Sequence, residues 1–345
     1  MKLGDIARES RETHKGDKTD IPIVGLEHLI SGELRFNDYE VNTDNTFTKV
    51  FHKGQILFGR RRAYLKKAAV AEFDGICSGD ITVIEAIPGK VDARLLPFII
   101  QNDRLFDFAV SRSAGGLSPR VKWEHLADYE FELPSIEEQR VLADKLWAAY
   151  ELKEAYKKMI AATDEMVKSQ FIEMFGDIND NSNGIPFDEI FYDDTKSATK
   201  ISASEYLSSG QYAIYDQSQD TQICGYSNDD DGVNMDYPVI LFGDHSRVVK
   251  LIDRPFYIGA DGVKIIRSKQ FDLNIVFAYY MIKYCNIPET GYNRHFKYLK
   301  LKRFFAPDRE KQNQFVAIAQ QADKSKFELQ QAIDKIDKVM KSLLQ

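Results

Sequence analysis

A chain of 345 residues with 43% apolar side chains can build about two domains of ~150 residues each, which excludes wholesale disorder. The net charge is −7, from 46 basic and 53 acidic residues, which argues against a general affinity for polyanions. No run of 18 apolar residues is present to cross a bilayer, and three isolated cysteines (Cys77, Cys224, Cys285) supply neither a disulfide framework nor a finger-type zinc site. A reducing, cytoplasmic setting follows, and Met1 to Ile6 lacks the apolar core of a secretory signal.

In chain order, short β-type runs are expected at Ile21 to Leu26, Gln55 to Phe58 and Ile81 to Ala86, between glycine and proline punctuation. A helix is expected over Ala93 to Val110. Leu133-Pro134 then opens a long stretch free of glycine and proline that runs from 135 to 175. Ser135 with Glu138 forms a capping box at its start, and Gly176 stops it. A linker over Asn179 to Gly184 follows, then a second mixed stretch, then a second long helix capped by Asp308.

The chain is written twice. Ile56-Leu57-Phe58-Gly59 recurs as Ile240-Leu241-Phe242-Gly243, and the stretch from Ile76 to Ile84 has a counterpart from Ile258 to Ile266. The helical stretch Leu95 to Phe108 is matched by Leu273 to Tyr284. The long helices align without a gap at an offset of 173, with nine identities in 39 positions. Among these, Gln139, Lys153 and Asp164 meet Gln312, Lys326 and Asp337. Tyr156, Met159 and Met166 in one copy, and Leu329, Ile336, Val339 and Leu343 in the other, recur every three or four residues. That spacing predicts an inter-helix packing stripe of coiled-coil type. At ~1.5 Å per residue each helix reaches roughly 55–60 Å and needs a partner in water. The obvious partner is its own repeat.

The fold expected is α+β: two globular modules in pseudo-two-fold repeat, separated by two long antiparallel coiled-coil-like helices. The boundaries are 1–133 and 177–306 for the modules, 134–176 and 307–345 for the helices.

Charge is unevenly spread. Lys49 to Lys67 holds seven basic residues and no acid, Asp188 to Asp244 holds twelve acids and two lysines, and His245 to Arg303 holds twelve basic residues and four acids. Phosphate binding requires a local positive face rather than a positive average.

The sequence offers no catalytic or metal-ligating set. It lacks GxxxxGK[ST], HExxH, GxSxG, GxGxxG after a strand, and the Asn/Asp-Pro-Pro-aromatic tetrad of amino-methyltransferases. Asp244-His245-Ser246 are consecutive, so on a strand their side chains alternate and form no triad. Asp308 and Glu310 suit a helix start better than a nuclease centre, and Asp229-Asp230-Asp231-Gly232 suits a solvated turn better than a calcium loop.

Several stretches carry a family resemblance: Pro22-Ile23-Val24-Gly25-Leu26-Glu27-His28-Leu29, the run from Gly54 to Lys67 with Arg60-Arg61-Arg62, Gly75 to Ile81, and Leu133-Pro134 followed by Glu137-Glu138-Gln139. On these the chain resembles the specificity (S) subunit of type I restriction-modification systems. The second half departs from the pattern: Asp244-His245-Ser246-Arg247 follows Gly243, and Ala306-Pro307 replaces Leu-Pro.

The resemblance implies that each module is a target recognition domain reading one half of a bipartite, asymmetric double-stranded DNA sequence. It implies that the helices act as a ruler and dock two methyltransferase subunits, with a translocating endonuclease subunit as an optional addition. It implies no catalysis and no cofactor on this chain; S-adenosylmethionine, ATP and Mg belong to the partner subunits. Two other readings stay open: a specificity subunit of another restriction or orphan methylation system, and a coiled-coil protein-binding scaffold.

The DNA-binding candidates are Lys53, Arg60, Arg61, Arg62, Lys66, Lys67, Ser118, Arg120 and Lys122 in the first module. Arginine pairs bidentately with guanine edges or phosphate, whereas lysine mainly positions on phosphate. On strand alternation, Arg60 and Arg62 share a face. The second module offers Arg247, Lys250, Arg294, His295 and Lys297. Trp147, Tyr150 and Phe171 are candidates for an outer partner interface.

Overall fold

The computed structural model describes residues 1–219, 222–259, 262–291 and 293–344, in two units. One unit comprises Met1–Tyr156 with Gln331–Gln345, and the other Lys157–Gln330.

In the first unit the strands are β1 (Ala7–Glu9), β2 (Ile23–Val24), β3 (Arg35–Phe36), β4 (Lys49–Phe51), β5 (Ile56–Gly59), β6 (Ala68–Ala71), β7 (Gly75–Cys77) and β8 (Ile81–Ala86). Helices α1 (Leu96–Ile100), α2 (Asp103–Ser111) and α3 (Trp123–Leu126) follow, then the long α4 (Ile136–Phe175). A five-stranded sheet runs β1-β8-β5-β6-β3, and β2-β7-β4 form a second sheet.

Side chains alternate across β5, and both faces are covered. Ile56 and Phe58 pack on α1, α2 and the start of α4, in a core with Phe98, Phe106, Leu146 and Tyr150. Leu57 packs with Val83, Ile81, Val24, Phe51 and Cys77 on the other face. Double burial explains why β5 reads as an unbroken apolar run, each such side chain contributing about 1.5–3 kcal/mol.

The second unit repeats this plan. Its elements are β9 (Ile185–Pro186), α5 (Phe187–Ile190), β10 (Phe191–Asp193), β11 (Lys200–Ile201), β12 (Tyr212–Tyr215), β13 (Gly225–Ser227), β14 (Val239–Gly243), β15 (Val249–Ile252), β16 (Phe256–Gly259) and β17 (Val263–Ser268). After them come α6 (Ile275–Lys283), α7 (Phe296–Leu299), β18 (Arg303–Phe304) and the long α8 (Arg309–Leu343). Sheets β10-β17-β14-β15 and β11-β16-β12-β13 hold most of the strands, with β18 paired to β9. Here β14 takes the place of β5: Ile240 and Phe242 face the helical core, Leu241 the other sheet.

The fold is thus mixed helix and sheet, with two long helices. The capping box is formed: the Ser135 N–H donates to Glu138 Oε2 at 2.9 Å and the Glu138 N–H to Ser135 Oγ at 3.4 Å. Asp308 Oδ1 accepts from the Lys311 N–H at 2.9 Å, and Gly176, with φ +89°, closes α4. Within each unit a segment of α4 runs antiparallel to a segment of α8. In the first, Lys153 meets Asp337 while Leu343 lies beside Leu142. In the second, Asp164 meets Lys326 while Phe171 lies edge-on to Phe315, nearer the start of α8.

Two expectations are corrected. The stretch from Ala93 to Val110 is two helices, because Asn102 is extended (φ −65°, ψ 133°) and its side chain caps α2 by accepting from the Arg104 N–H. The expected packing stripe also differs. Tyr156, Leu329, Ile336 and Leu343 are half-buried, but Met159, Met166 and Val339 are 51%, 52% and 55% exposed. The face that is buried carries Ala143, Leu146 and Tyr150 in one unit and Val167, Phe171, Phe315 and Ala319 in the other. The helices pack against sheet modules as well as each other, so their apolar face does not keep a strict heptad.

Among the described residues no helix is long and apolar enough to cross a membrane, and no group of three or more His, Cys, Asp or Glu could hold a metal ion. All three cysteines are free; burial pushes the Cys77 and Cys285 thiols up to about 12.

Candidate nucleic-acid interface

The arginine triplet leaves the end of β5, and its position is set by strand register. Gly59 pairs with Ile81, so Arg60 lies beside Asp80, the residue before β8. The Arg60 N–H donates to the Asp80 carbonyl at 2.9 Å. A Cβ on Gly59 would come within 3.1 Å of the Lys67 carbonyl, so the returning chain packs tightly against this strand end.

The loop from Ala114 to Lys122 closes over this strand end. Arg61 bridges to Arg120, the Arg62 N–H donates to the Pro119 carbonyl at 2.8 Å, and the Val121 N–H to the Arg60 carbonyl at 3.0 Å. Two segments far apart in sequence, 60–62 and 114–122, thereby form one surface. Arg62 and Lys66, with φ of +53° and +50°, bracket a helical turn over Ala63–Leu65. Such left-handed positions in bulky residues cost of order 1–3 kcal/mol each and persist only where the surroundings hold them.

Asp80 gathers the guanidinium groups. Its Oδ1 accepts from Arg120 Nε at 2.6 Å, and its Oδ2 from Arg120 Nη2 and Arg61 Nη1, both at 3.3 Å. Arg61 Nη2 also donates to Ser118 Oγ at 3.1 Å. The Arg120 hydrogen bond, against the opposing effect of burial, holds the Asp80 carboxyl below the usual carboxylate range.

Arg60 lies apart from that fork. It lines an open groove of about 490 Å³ with Glu9, Lys122, Trp123, Glu124 and His125, and its Nε has no hydrogen-bond partner. Glu9 and Glu124 are each tied to Arg11 at 3.1 Å. The pairing expected from strand alternation, Arg60 with Arg62, does not occur. The strand ends at Gly59 and Arg62 turns left-handed, so Arg61 is the residue brought to Arg120.

The lysines divide. Lys66 is paired with Asp103 at 2.6 Å, and Lys67 Nζ donates to the Leu26 carbonyl at 2.8 Å. Both ammonium groups serve the module itself. Lys53 is exposed on the turn entering β5, at the opposite end of that strand from the arginines.

The second module keeps the backbone scheme and changes the side chains. Gly243 pairs with Val263, which places Asp244 where Arg60 stands and Gly262 where Asp80 stands. The Asp244 N–H donates to the Gly262 carbonyl at 2.6 Å, and the Asp244 carbonyl accepts from the His295 N–H at 2.7 Å. The Asp244 carboxylate is buried and accepts from the Phe296 N–H at 2.8 Å, fixing the start of α7.

Two sequence candidates here lie inside. Lys250 is 3% exposed on β15, its Nζ 3.3 Å from the Gln222 carbonyl, and burial lowers its pKa. His295 is 1% exposed, its Nδ1 3.0 Å from the Asp244 carbonyl. Neither presents a surface to phosphate as placed. Arg294 and Lys297 are exposed, and Arg247 is held by the Ile287 carbonyl at 3.2 Å and Glu289 at 3.0 Å.

The aromatic candidates for a partner interface also point inward. Trp147 Nε1 donates to the Arg94 carbonyl at 2.8 Å, its ring lies edge-on to Phe98 at 5.1 Å, and the Arg35 guanidinium sits 4.7 Å from its centre. Tyr150 and Phe171 are buried in the two helical cores. Large apolar side chains that pair with a sheet module cannot be told from an external anchor by spacing alone.

Residues 1–161 match the model of the type I restriction modification DNA specificity domain. That match covers 161 of the chain's 345 residues. Over 136 residues, 39% of this chain, it is 24% identical to the type I restriction enzyme EcoDI specificity subunit of Escherichia coli, a match that spans 30% of that subunit's length. Its fold is similar to that of the S subunit from M. genitalium, with a TM-score of 0.58, 14% identity, and coverage of 99% of this chain and 95% of the other. It is also similar to a chain of a type I R-M system solved to describe complex assembly and conformational transition, with a TM-score of 0.52, 18% identity, and coverage of 100% and 95%.

Sequence reasoning missed Asp80 and Asp244. A signal for Asp80 was present: the repeat that aligns Ile56-Leu57-Phe58-Gly59 with Ile240-Leu241-Phe242-Gly243 also aligns the strands that follow, and Asp80 precedes the first of them.

Proposed function

We propose that this chain is the non-catalytic DNA-recognition subunit of a type I restriction-modification complex, reading an asymmetric bipartite target in double-stranded DNA. The observation that carries the reading is the convergence of Arg60, Arg61, Arg120 and Lys122 on one surface from two distant segments. Arginine forks of this kind suit guanine edges and phosphates. Residues 1–133 and 177–306 serve as target recognition domains. Because Asp244 and Gly262 replace Arg60 and Asp80 in the second, the two half-sites differ in sequence.

The long helices dock two methyltransferase subunits, with an endonuclease-translocase as a further partner. Support comes from apolar side chains they leave in solvent: Val141, Leu152 and Val339 in one unit, Met159, Met166 and Phe327 in the other. S-adenosylmethionine, ATP and Mg²⁺ belong to those partners, and the setting is cytoplasmic. The test is a map of methylated adenines in the source cell with and without this chain. Loss of one split, asymmetric motif with a constant gap is the expected result. An unchanged map, together with purified chain whose DNA affinity is absent or insensitive to salt, defeats the reading and favours a protein-binding scaffold.

A further inference from the structure

Asp80 stands in an unusual position for an acid. It occupies the middle of the surface that faces nucleic acid in the reading above, where a carboxylate repels phosphate. Its side chain is 19% exposed, and strand register with β5 leaves it little freedom. Its amide is further held, donating to Ser78 Oγ at 3.2 Å. Both oxygens are directed at guanidinium groups from two loops, Arg61 and Arg120, whose side chains remain 39% and 45% exposed.

A carboxylate so placed has two physical effects. It fixes the plane of each guanidinium, which otherwise sweeps a wide arc on a flexible stem. It also offsets one of two positive charges, so the pair attracts phosphate less than two free arginines would. A free arginine settles on the nearest phosphate, which carries no sequence information; an oriented one discriminates only where two acceptors match its fork. The second module provides an internal contrast, since Gly262, which has no side chain, takes the Asp80 position.

We propose that Asp80 is a specificity-determining positioning residue of the first half-site: by holding Arg61 and Arg120 it lowers affinity for arbitrary DNA and raises discrimination among sequences. This rests on the DNA-reading function proposed above. Ser118, which accepts from Arg61 Nη2, completes the hold on the Arg61 side.

The test uses the full chain assembled with its methyltransferase subunits and the duplex identified by the methylation map. Binding is measured across a salt series for the cognate duplex, one with the first half-site scrambled, and one with the second scrambled. Asp80→Asn keeps the size and removes the charge. The expected result is binding to the first-half-scrambled duplex tightened about 3–10-fold at low salt, with a salt slope steeper by up to about one phosphate contact. The cognate-to-scrambled ratio at the first half-site falls at least about 10-fold, the scale of one bidentate base contact. The ratio at the second half-site is unchanged, and Asp80→Glu restores part of the first.

A merely structural aspartate gives a different pattern: all three duplexes weaken together and the first half-site ratio is kept. That pattern overturns the proposal, as does an unaltered first half-site ratio in Asp80→Asn when the unmodified complex discriminates normally; the DNA-reading function then stands without it. Unmodified complex that shows no sequence preference on any duplex overturns both.

Discussion

Lys153 Nζ lies 2.7 Å from Asp337 Oδ1, linking α4 to α8 within the first unit. The pair has a counterpart in the second unit, where Lys326 Nζ lies 2.7 Å from Asp164 Oδ1. The four residues are related by the offset of 173, so one ion pair has been written twice. Partly exposed pairs of this type couple by about 1 kcal/mol. A double-mutant cycle on Lys153→Ala and Asp337→Ala, read by urea unfolding, is expected to give that coupling, and the reversal of both charges to recover most of it. A cycle that closes at zero removes the pair from the account of helix register.

Gln139 and its repeat Gln312 form buried brackets of identical design. Gln139 Oε1 accepts from the Asp92 N–H at 2.9 Å while its Nε2 donates to the Pro134 carbonyl at 2.8 Å. Gln312 does the same with the Asn274 N–H at 2.7 Å and the Pro307 carbonyl at 2.9 Å. Each ties the start of a long helix to the module beside it. Gln139→Leu leaves a donor and an acceptor without partners and is expected to cost about 1–3 kcal/mol in chemical denaturation. A neutral substitution would mean that water reaches the Asp92 amide.

Phe171 is fully buried, its ring 5.3–5.8 Å from those of Phe175, Phe277, Tyr284 and Phe315. Phe171→Ala is expected to lose about 3–5 kcal/mol through the cavity it leaves. Met166→Ser, on the exposed side of the same helix, is expected to leave stability within about 0.5 kcal/mol and to weaken co-purification of methyltransferase subunits. Equal stability losses in both variants would show that the exposed side is not available to a partner.

The Asp80 fork has a defined acid limit. Its folded carboxyl titrates below the ordinary value of 3.8, chiefly through Arg120. A depressed carboxyl stabilises the folded state fully above that ordinary value, and the contribution fades as pH falls through the folded one. The stability gap between wild type and Asp80→Asn, measured by urea unfolding at a series of pH values, is therefore expected to be flat near neutrality and to close below about pH 3.8. A gap that widens in acid contradicts the assignment.

The long helices were the most legible part of the sequence because their signals are local. Ser135, Glu138, Asp308 and Gly176 each act within a few residues, and the structure uses each as read. Strand β8, Ile81–Ala86, was equally plain from its apolar run. Facing was harder to read. Met159 and Tyr150 are both apolar and both suit a helical stripe, yet one is half exposed and the other buried, because a sheet module covers only one side of α4. The arginine surface was legible in composition but not in geometry. Arg61 meets Arg120 through a loop closure 59 residues long in sequence, and the acid that orients them lies on a third segment.

The division of the chain also bears on its synthesis. Met340, Leu343 and Leu344 pack against the core formed by residues of the first module and the start of α4. The ribosome makes that module early, yet the residues that complete its unit follow all of the second. Until they emerge, the nascent first module holds an uncovered apolar face beside Leu142 and Leu146. Its folding is then finished only after translation has passed residue 330, and co-translational proteolysis is expected to find the first-made module vulnerable the longest.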